Sequence, residues 1–409
     1  MTLPITEQPT TPTGEDLFVT VHVTDGQRGC WRGYRDYADR IIGPGATVVD
    51  VEQRVPRKLI RDLGRSGWLS ALLPPEWGGA AIDALRYGMM AEELGRTCQN
   101  MRNFVAVQDM VSGAIWRWGT DEQRQRWLPA LAAGERVAAF LLTEPDVGSD
   151  AGHVTTRVED SGDDLVLNGI KKWISFGQCA DVFLVFAQYG GQHTAVLVPR
   201  DRPGITVEPC PDMLGLRGSM LAQITFDDCR VPRHAVVGRP GSGLVFVASA
   251  ALDIGRYSTA WGCVGLAQAC LEKSAAYTRR RVQSGQPIAE HQLVQRMLAD
   301  MITESRAARL LCWQAGEAMQ RADEDVTYQI LMAKYFASTA AARIAGQAVQ
   351  LQGAAGMAGG STVARLFRDS KALEVIEGTT QVIQQLLGRD AGGMAHPGYG
   401  IAAADGGAS

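Results

Sequence analysis

The sequence predicts an α+β multidomain chain in three successive parts: helical, then β-rich, then helical again. Three observations carry that prediction. Residues 29–138 space apolar side chains at helical intervals, residues 139–243 break into short β-branched runs, and residues 244–390 return to long helical stretches. No helical crossover separates the middle runs, so an antiparallel barrel or sandwich is expected there.

Residues 1–28 mix Thr, Pro and Gly without periodicity and read as an irregular tail. In the first helical part, "RKLIRDLGRSGWL" places Leu59, Leu63 and Trp68 around a polar face until "PPEWGG" breaks it. "DEQRQRWLPALAAGE" opens with acidic residues, which suit the positive end of a helix dipole. The β part contains "DLVLNGIKKWI", "DVFLVFAQ", "TAVLVP", "GITVEP" and "AQITFDDCRVP", divided by Gly, Pro, Asn and Asp. In the last part, Leu293, Met297 and Met301 recur every four residues beside Val294, Leu298 and Ile302. "TYQILMAKYFASTAAARIAGQAVQL" is Ala-rich enough for close helix contact, and residues 391–409 are too rich in Gly and Ala to bury a face.

Composition narrows the function. The chain has 409 residues, 46% of them apolar, enough for two or three packed cores. A net charge of −4 offers no basic stripe for nucleic acid. No apolar stretch approaches the roughly 20 residues of a membrane span. The N-terminus lacks the charged and apolar regions of a secretory signal. Eight cysteines without a C-x-x-C pair fit reduced thiols, and six dispersed histidines show no metal spacing. A soluble, cytoplasmic protein is expected.

Four stretches, and one glutamate, could carry chemistry. "LLTEPDVGSDA" ends a strand in a loop with Thr143, Gly148 and Ser149, whose hydroxyls and amides suit a polar ring edge or a phosphate. An ordinary turn explains it equally well. "NGIKKWISFG" puts Trp173 and Ser175 on alternate strand positions, facing one side, although a lone Trp is more often core. "LDIGRYSTAWGCVG" sets Asp253 and Arg256 one helical turn apart, as an ion pair would. "LQGAAGMAGG" is Gly-rich but lacks the βαβ setting of a dinucleotide fingerprint, as does "GRPGSG". Finally, "ALEVIEGTTQV" places Glu377 between Ile376 and Gly378, either as a helix-end charge or as a base in a dry pocket.

Together these motifs resemble the flavin-dependent acyl-CoA dehydrogenase family over about residues 30–390. "LTEPDVGSD", "LNGIKKWIS", "GLRGSMLAQITFDDCRVP", "RRRVQSGQPI", "HQLVQRMLADM" and "FRDSKALEVIEGTTQV" fall in the family's order. The resemblance implies an N-terminal all-α domain, a central β-barrel and a C-terminal four-helix bundle, bounded at 29–138, 139–243 and 244–390. It also implies FAD between barrel and bundle, in a homodimer or homotetramer. Phe140, Leu142, Thr143 and Ser149 match flavin-side positions, and Trp173 and Ser175 flank the ring. Arg281, Gln350, Gly353, Thr379 and Gln381 match positions that meet the dinucleotide from a neighbouring subunit. The sequence departs from the family at Ser284, where Phe is usual, and at Ala354, where the pyrophosphate loop usually has Gly.

Glu377 aligns with the family's usual base. Some members carry the base one position before the arginine of "LDIGR", but here that position is Gly255, which has no side chain to serve. Removing an α-proton from a thioester needs a positioned base and donors on the carbonyl oxygen. Desolvation between apolar neighbours raises a Glu pKa and strengthens it as a base. Gly378 allows the turn by which the Glu377 amide can polarise the carbonyl. Glu374, one turn earlier, is expected to be solvated or paired. For the substrate, Ser149, Asp253, Arg256, Tyr257 and Gly378 are candidate contacts, while Trp261 is expected in the core.

"GRYSTAWGCVG" and "KALEVIEGTT" look closest to a branch acting on acyl carrier proteins, where enzymes making hydroxymalonyl or methoxymalonyl polyketide extender units oxidise a glyceryl-type thioester. The alternatives are a conventional acyl-CoA α,β-dehydrogenase, a flavin monooxygenase or oxidase on the same fold, and a non-catalytic scaffold. The sequence does not select an electron acceptor.

Overall fold

The first helix begins where its cap does. Thr24 accepts from the Gln27 amide at 3.2 Å while Gln27 Oε1 accepts from the Thr24 amide at 2.9 Å. This reciprocal box starts α1 (Asp25–Tyr37) four residues inside the stretch expected to be irregular. The computed structural model describes residues 23–391; the tails expected over 1–22 and 392–409 lie outside it.

Short helices α2 (Ala46–Glu52) and α3 (Arg57–Arg65) lead to α4 (Ala84–Thr97), α5 (Gln99–Trp118) and α6 (Asp121–Ala132). Asp83 caps α4 and Thr120 caps α6. Helix α5 is buried at every residue from Gln99 to Ser112. One of those residues, Gln108, joins it to the sheet. Its side-chain amide donates to the Ala138 carbonyl at 3.0 Å and accepts from the Ala138 amide at 2.9 Å, as a neighbouring strand would.

The middle domain is one eight-stranded sheet: β1 (Ala138–Leu141), β2 (Arg157–Ser161), β3 (Asp164–Ile174), β4 (Val182–Tyr189), β5 (Gln192–Pro199), β6 (Ile205–Pro209), β7 (Ala222–Pro232) and β8 (Val236–Val237). Its order is β6-β7-β3-β2-β4-β5-β8, with β1 also on β4. The pairing is antiparallel as expected, except that β1 and β2 both run parallel to β4. They divide one edge of β4: β1 pairs from Val182 to Val185, and β2 at Gln188 and Tyr189. Strand β1 enters from α6, so no hairpin obliges it to reverse. The loop over residues 142–156 leaves the sheet at that division.

The C-terminal part packs α7 (Ser249–Arg280), α8 (Gln292–Arg321), α9 (Val326–Gln352) and α11 (Thr362–Val375) against one another. A hairpin, β9 (Val282–Gln283) with β10 (Gln286–Pro287), joins α7 to α8; α10 (Ala354–Met357) follows α9, and α12 (Thr380–Ala391) closes the described chain. Helix α7 is buried throughout from Tyr257 to Leu271, between its bundle partners and α4 and α5. That burial explains why it shows no amphipathic stripe. Among the described residues, no helix is long and apolar enough to cross a membrane and no cluster could hold a metal ion. All eight cysteines are free thiols.

Candidate active site

Glu377 lies in the turn between α11 and α12. Its φ is +58°, a left-handed conformation costly for a residue with a Cβ, and Gly378 follows at +93°, where only glycine is comfortable. Two cations hold this turn by its carbonyls. Arg256 Nε donates to the Glu377 oxygen at 3.2 Å, and Lys334 Nζ donates to the Gly378 oxygen at 2.7 Å. Arg256 is itself fixed by Asp253 at 3.2 Å, and Asp253 accepts from the Thr327 hydroxyl at 2.9 Å. The strain at Glu377 is therefore sustained from outside the turn.

The carboxylate is directed at α7. A Cβ placed on Gly255 would lie 2.6 Å from Glu377 Oε2 and 2.8 Å from Met110 Sδ. The position that could have carried an alternative base is thus where the Glu377 carboxylate rests, and a side chain there would have to push the ends of Glu377 and Met110 aside. Oε2 is buried without a hydrogen-bond partner. Burial pushes the Glu377 carboxyl up, against the opposing pull of Arg256, Arg102 and Lys334. Lys334 is fully buried, and burial lowers its ammonium to about 8. Gly255→Ala is accordingly expected to displace the carboxylate and slow turnover by about 10²-fold, the usual cost of a misplacement near 1 Å. Rapid-mixing kinetics on protein with unchanged cofactor content measures it.

The second group of expected residues lies at the divided sheet edge. Phe140 is on β1, stacked at a tilt on Phe186 with 4.8 Å between centroids, and Leu142 and Thr143 follow it. Thr143 accepts at its carbonyl from the Lys172 amide at 3.0 Å. The next residue, Glu144, accepts from Lys171 at 2.8 Å, from the Thr155 amide and hydroxyl at 2.6 and 2.7 Å, and from the Thr156 amide at 2.9 Å. Burial would raise this carboxyl, but those donors hold it down to about 2.

The alternation expected of Trp173 and Ser175 fails. The β3–β7 register shifts between Lys171 and Ile174, Trp173 adopts φ +62°, and Ser175 lies past the strand end. The bulge leaves Trp173 48% exposed, while Ser175 accepts from Asn103 of α5 at 3.3 Å.

Other expected residues scatter. Ser149 is exposed in its loop, and Arg281, Gln350, Gly353 and Gln381 are exposed near the ends of α7, α9 and α12. Thr379 caps α12, its hydroxyl accepting from the Val382 amide at 3.2 Å. Tyr257, expected as a substrate contact, is instead fully buried, donating to the Ala84 carbonyl at 2.9 Å. It sits on the face of α7 that packs against α4. Trp261 is fully buried as expected, and Glu374 is paired with Lys371 at 3.0 Å. Lys334, Thr327 and Asn103 escaped the sequence reading. A lone lysine inside "ILMAKYFAS" was the available signal for the first.

Three family models match in succession: acyl-CoA dehydrogenase N-terminal domain over residues 24–135, middle domain over 139–229, and C-terminal domain over 241–392. The chain belongs to the acyl-CoA dehydrogenase family. The human mitochondrial short-chain specific acyl-CoA dehydrogenase is 35% identical over 377 residues, covering 91% of each chain. Glutaryl-CoA dehydrogenase from Mycobacterium smegmatis, solved with FADH2, superposes with a TM-score of 0.87 at 30% identity, covering 94% of this chain and 97% of that one. FkbI, described as serving biosynthesis of the methoxymalonyl extender unit of the polyketide Fk520, has a TM-score of 0.82 at 33% identity, covering 89% and 99%.

This acyl-CoA dehydrogenase homologue is an FAD-dependent oxidoreductase of acyl thioesters. Its residues fit the cofactor: the half-exposed Trp173 face and the nearby Thr143 and Ser175 hydroxyls offer what a flat heteroaromatic ring with polar edges needs.

Proposed function

We propose that Glu377 is the proton acceptor of this dehydrogenase, acting on a short hydroxyacyl group carried by an acyl carrier protein. The observation behind the first half is the half-buried Glu377, whose Oε2 is buried without a partner and lies against Gly255. Glu377 takes the proton from the α-carbon or, for a glyceryl-type group, from the alcohol oxygen. FAD, when bound, would supply the acceptor for the hydride that leaves the adjacent carbon. Arg256 and Lys334 hold the turn by its carbonyls so that the carboxylate stays aimed, and the Glu377 amide polarises the thioester oxygen. Phe140, Leu142, Thr143, Ser149, Trp173 and Ser175 line the flavin from one subunit. Arg281, Gln350, Gly353, Thr379 and Gln381 approach it from a neighbouring subunit in a homodimer or homotetramer, which accords with the exposure of four of them.

Support for the carrier protein comes from FkbI, whose description concerns a polyketide extender unit. Similarity to the human short-chain enzyme favours a second reading, conventional acyl-CoA dehydrogenation to the enoyl product. Presenting one acyl group on CoA and on carrier protein separates them. The carrier reading expects kcat/KM to be higher on the protein by at least about tenfold, roughly 1.4 kcal/mol of transition-state binding. Equal or better use of CoA would sink it. An oxidase would be reoxidised rapidly by air after reduction, whereas a dehydrogenase would stay bleached.

A further inference from the structure

Arg102 of α5 is a buried cation whose contacts include no acid. It is 1% exposed, and one of its terminal nitrogens, Nη2, is buried without a hydrogen-bond partner. Its other two nitrogens meet neutral groups: Nη1 donates to the Thr259 hydroxyl at 3.0 Å and Nε to the Gln99 side-chain oxygen at 3.3 Å. Gln99 in turn donates to the Gly262 carbonyl at 2.6 Å, which ties the guanidinium to α7 twice. Buried charges are normally paired. Two others in this chain obey that rule: Lys171 faces Glu144 at 2.8 Å, and Arg309 faces Glu92. Burial lowers the Arg102 pKa, opposed by Cys263 and by the charge of Glu377.

The unmet nitrogen belongs to a side chain beside the reacting position. Glu377 Oε2 rests against Gly255, and Thr259, which accepts from Arg102, is one turn further along α7. Residues four apart on a helix lie about 5–6 Å apart at Cβ. Helix α5 runs antiparallel to that stretch: Met110 meets Gly255, while Arg102 meets Thr259 and Gly262. Between them on α5, one turn from each, is the small Ala106. Asn103, next to Arg102, donates to Ser175, which the family resemblance sets beside the flavin ring. We propose that Arg102 is a specificity-determining residue that binds a carboxylate on the acyl chain, at the end remote from the thioester. That carboxylate supplies the missing acid and accepts from Nη2. A guanidinium is the side chain best matched to a carboxylate, and a charge-assisted bond of this kind is strong when water is excluded. A plain hydrocarbon chain leaves the cation unpaired. This inference rests on Glu377 being the base, because that places the reacting carbons beside Gly255. It holds whether CoA or a carrier protein bears the thioester.

The test uses the FAD-loaded Glu377→Gln protein, so that binding is measured without turnover. Calorimetry compares succinyl-pantetheine with butyryl-pantetheine, and glutaryl-pantetheine with pentanoyl-pantetheine. Each pair differs by a carboxylate in place of a methyl. The diacid ligand of fitting length is expected to bind more tightly than its counterpart by about tenfold or more, because a site built to hydrogen-bond one group rejects the analogue lacking it. Adding Arg102→Met, or Arg102→Gln if that variant does not fold, should abolish the preference. Equal affinities within both pairs in the parent overturn the proposal. So does an Arg102 variant that keeps the preference, even if it weakens both ligands alike; Arg102 would then be a structural group with Nη2 satisfied by buried water. Failure of the base assignment is separately visible: these thioesters would bleach the Glu377→Gln protein as fast as the wild type, before any affinities are compared.

Discussion

Glu377→Gln is expected to leave the protein folded and yellow, while slowing flavin bleaching by substrate about 10²–10⁴-fold, the usual contribution of a positioned base. The substitution preserves shape, and the turn is held by backbone oxygens rather than by the carboxylate: Arg256 and Lys334 grip the carbonyls of residues 377 and 378. Loss of activity is therefore loss of a proton acceptor, not of a scaffold. A pH profile adds a second measure. The active form is the ionised carboxylate, and burial disfavours that form, raising the Glu377 pKa from its ordinary value of 4.5. Activity of the wild type should fall as pH drops through that raised value, giving an acid limb above the usual glutamate range. Any residual activity of the Gln variant should lack that limb. A variant bleached at the wild-type rate would end the assignment.

The sequence made the order of the domains readable because each domain has its own hydrophobic period. It exposed Glu377 through an oddity: a charge among apolar neighbours, before a glycine. What escaped it was set by contacts between distant segments. Lys334 reaches Gly378 across 44 positions, and the chain offers no local reason for a lysine to point inward there. Trp173 and Ser175 were assigned by strict alternation, but a bulge is decided by pairing with β7, which the β3 sequence alone does not encode. Tyr257 neighbours Arg256 in sequence yet faces α4, because adjacent helical residues point in different directions.

Lys171→Met should destabilise the protein by about 3–5 kcal/mol, the usual cost of stranding one partner of a buried ion pair. Lys171 is fully buried and donates to Glu144 at 2.8 Å and to the Leu142 carbonyl at 2.9 Å. Burial lowers its ammonium to about 8, so at neutral pH the charge persists chiefly because Glu144 faces it. Methionine fills the space but leaves Glu144 anionic, still bound by Thr155 and Thr156 and without a counter-ion. The effect should extend beyond stability. Lys171 is on β3, while Leu142 and Glu144 begin the loop from the divided sheet edge, so this contact fastens the segment bearing Leu142, Thr143 and Ser149. The variant is expected to purify with less flavin and to unfold at lower urea concentration. Adding Glu144→Gln should recover part of the loss, because the buried charge is gone, while the single carboxamide oxygen keeps only one of the two threonine-amide bonds, which go to different carboxylate oxygens. If the double variant is no better than Lys171→Met alone, the stranded charge is not the cause, and packing of the lysine stem must be.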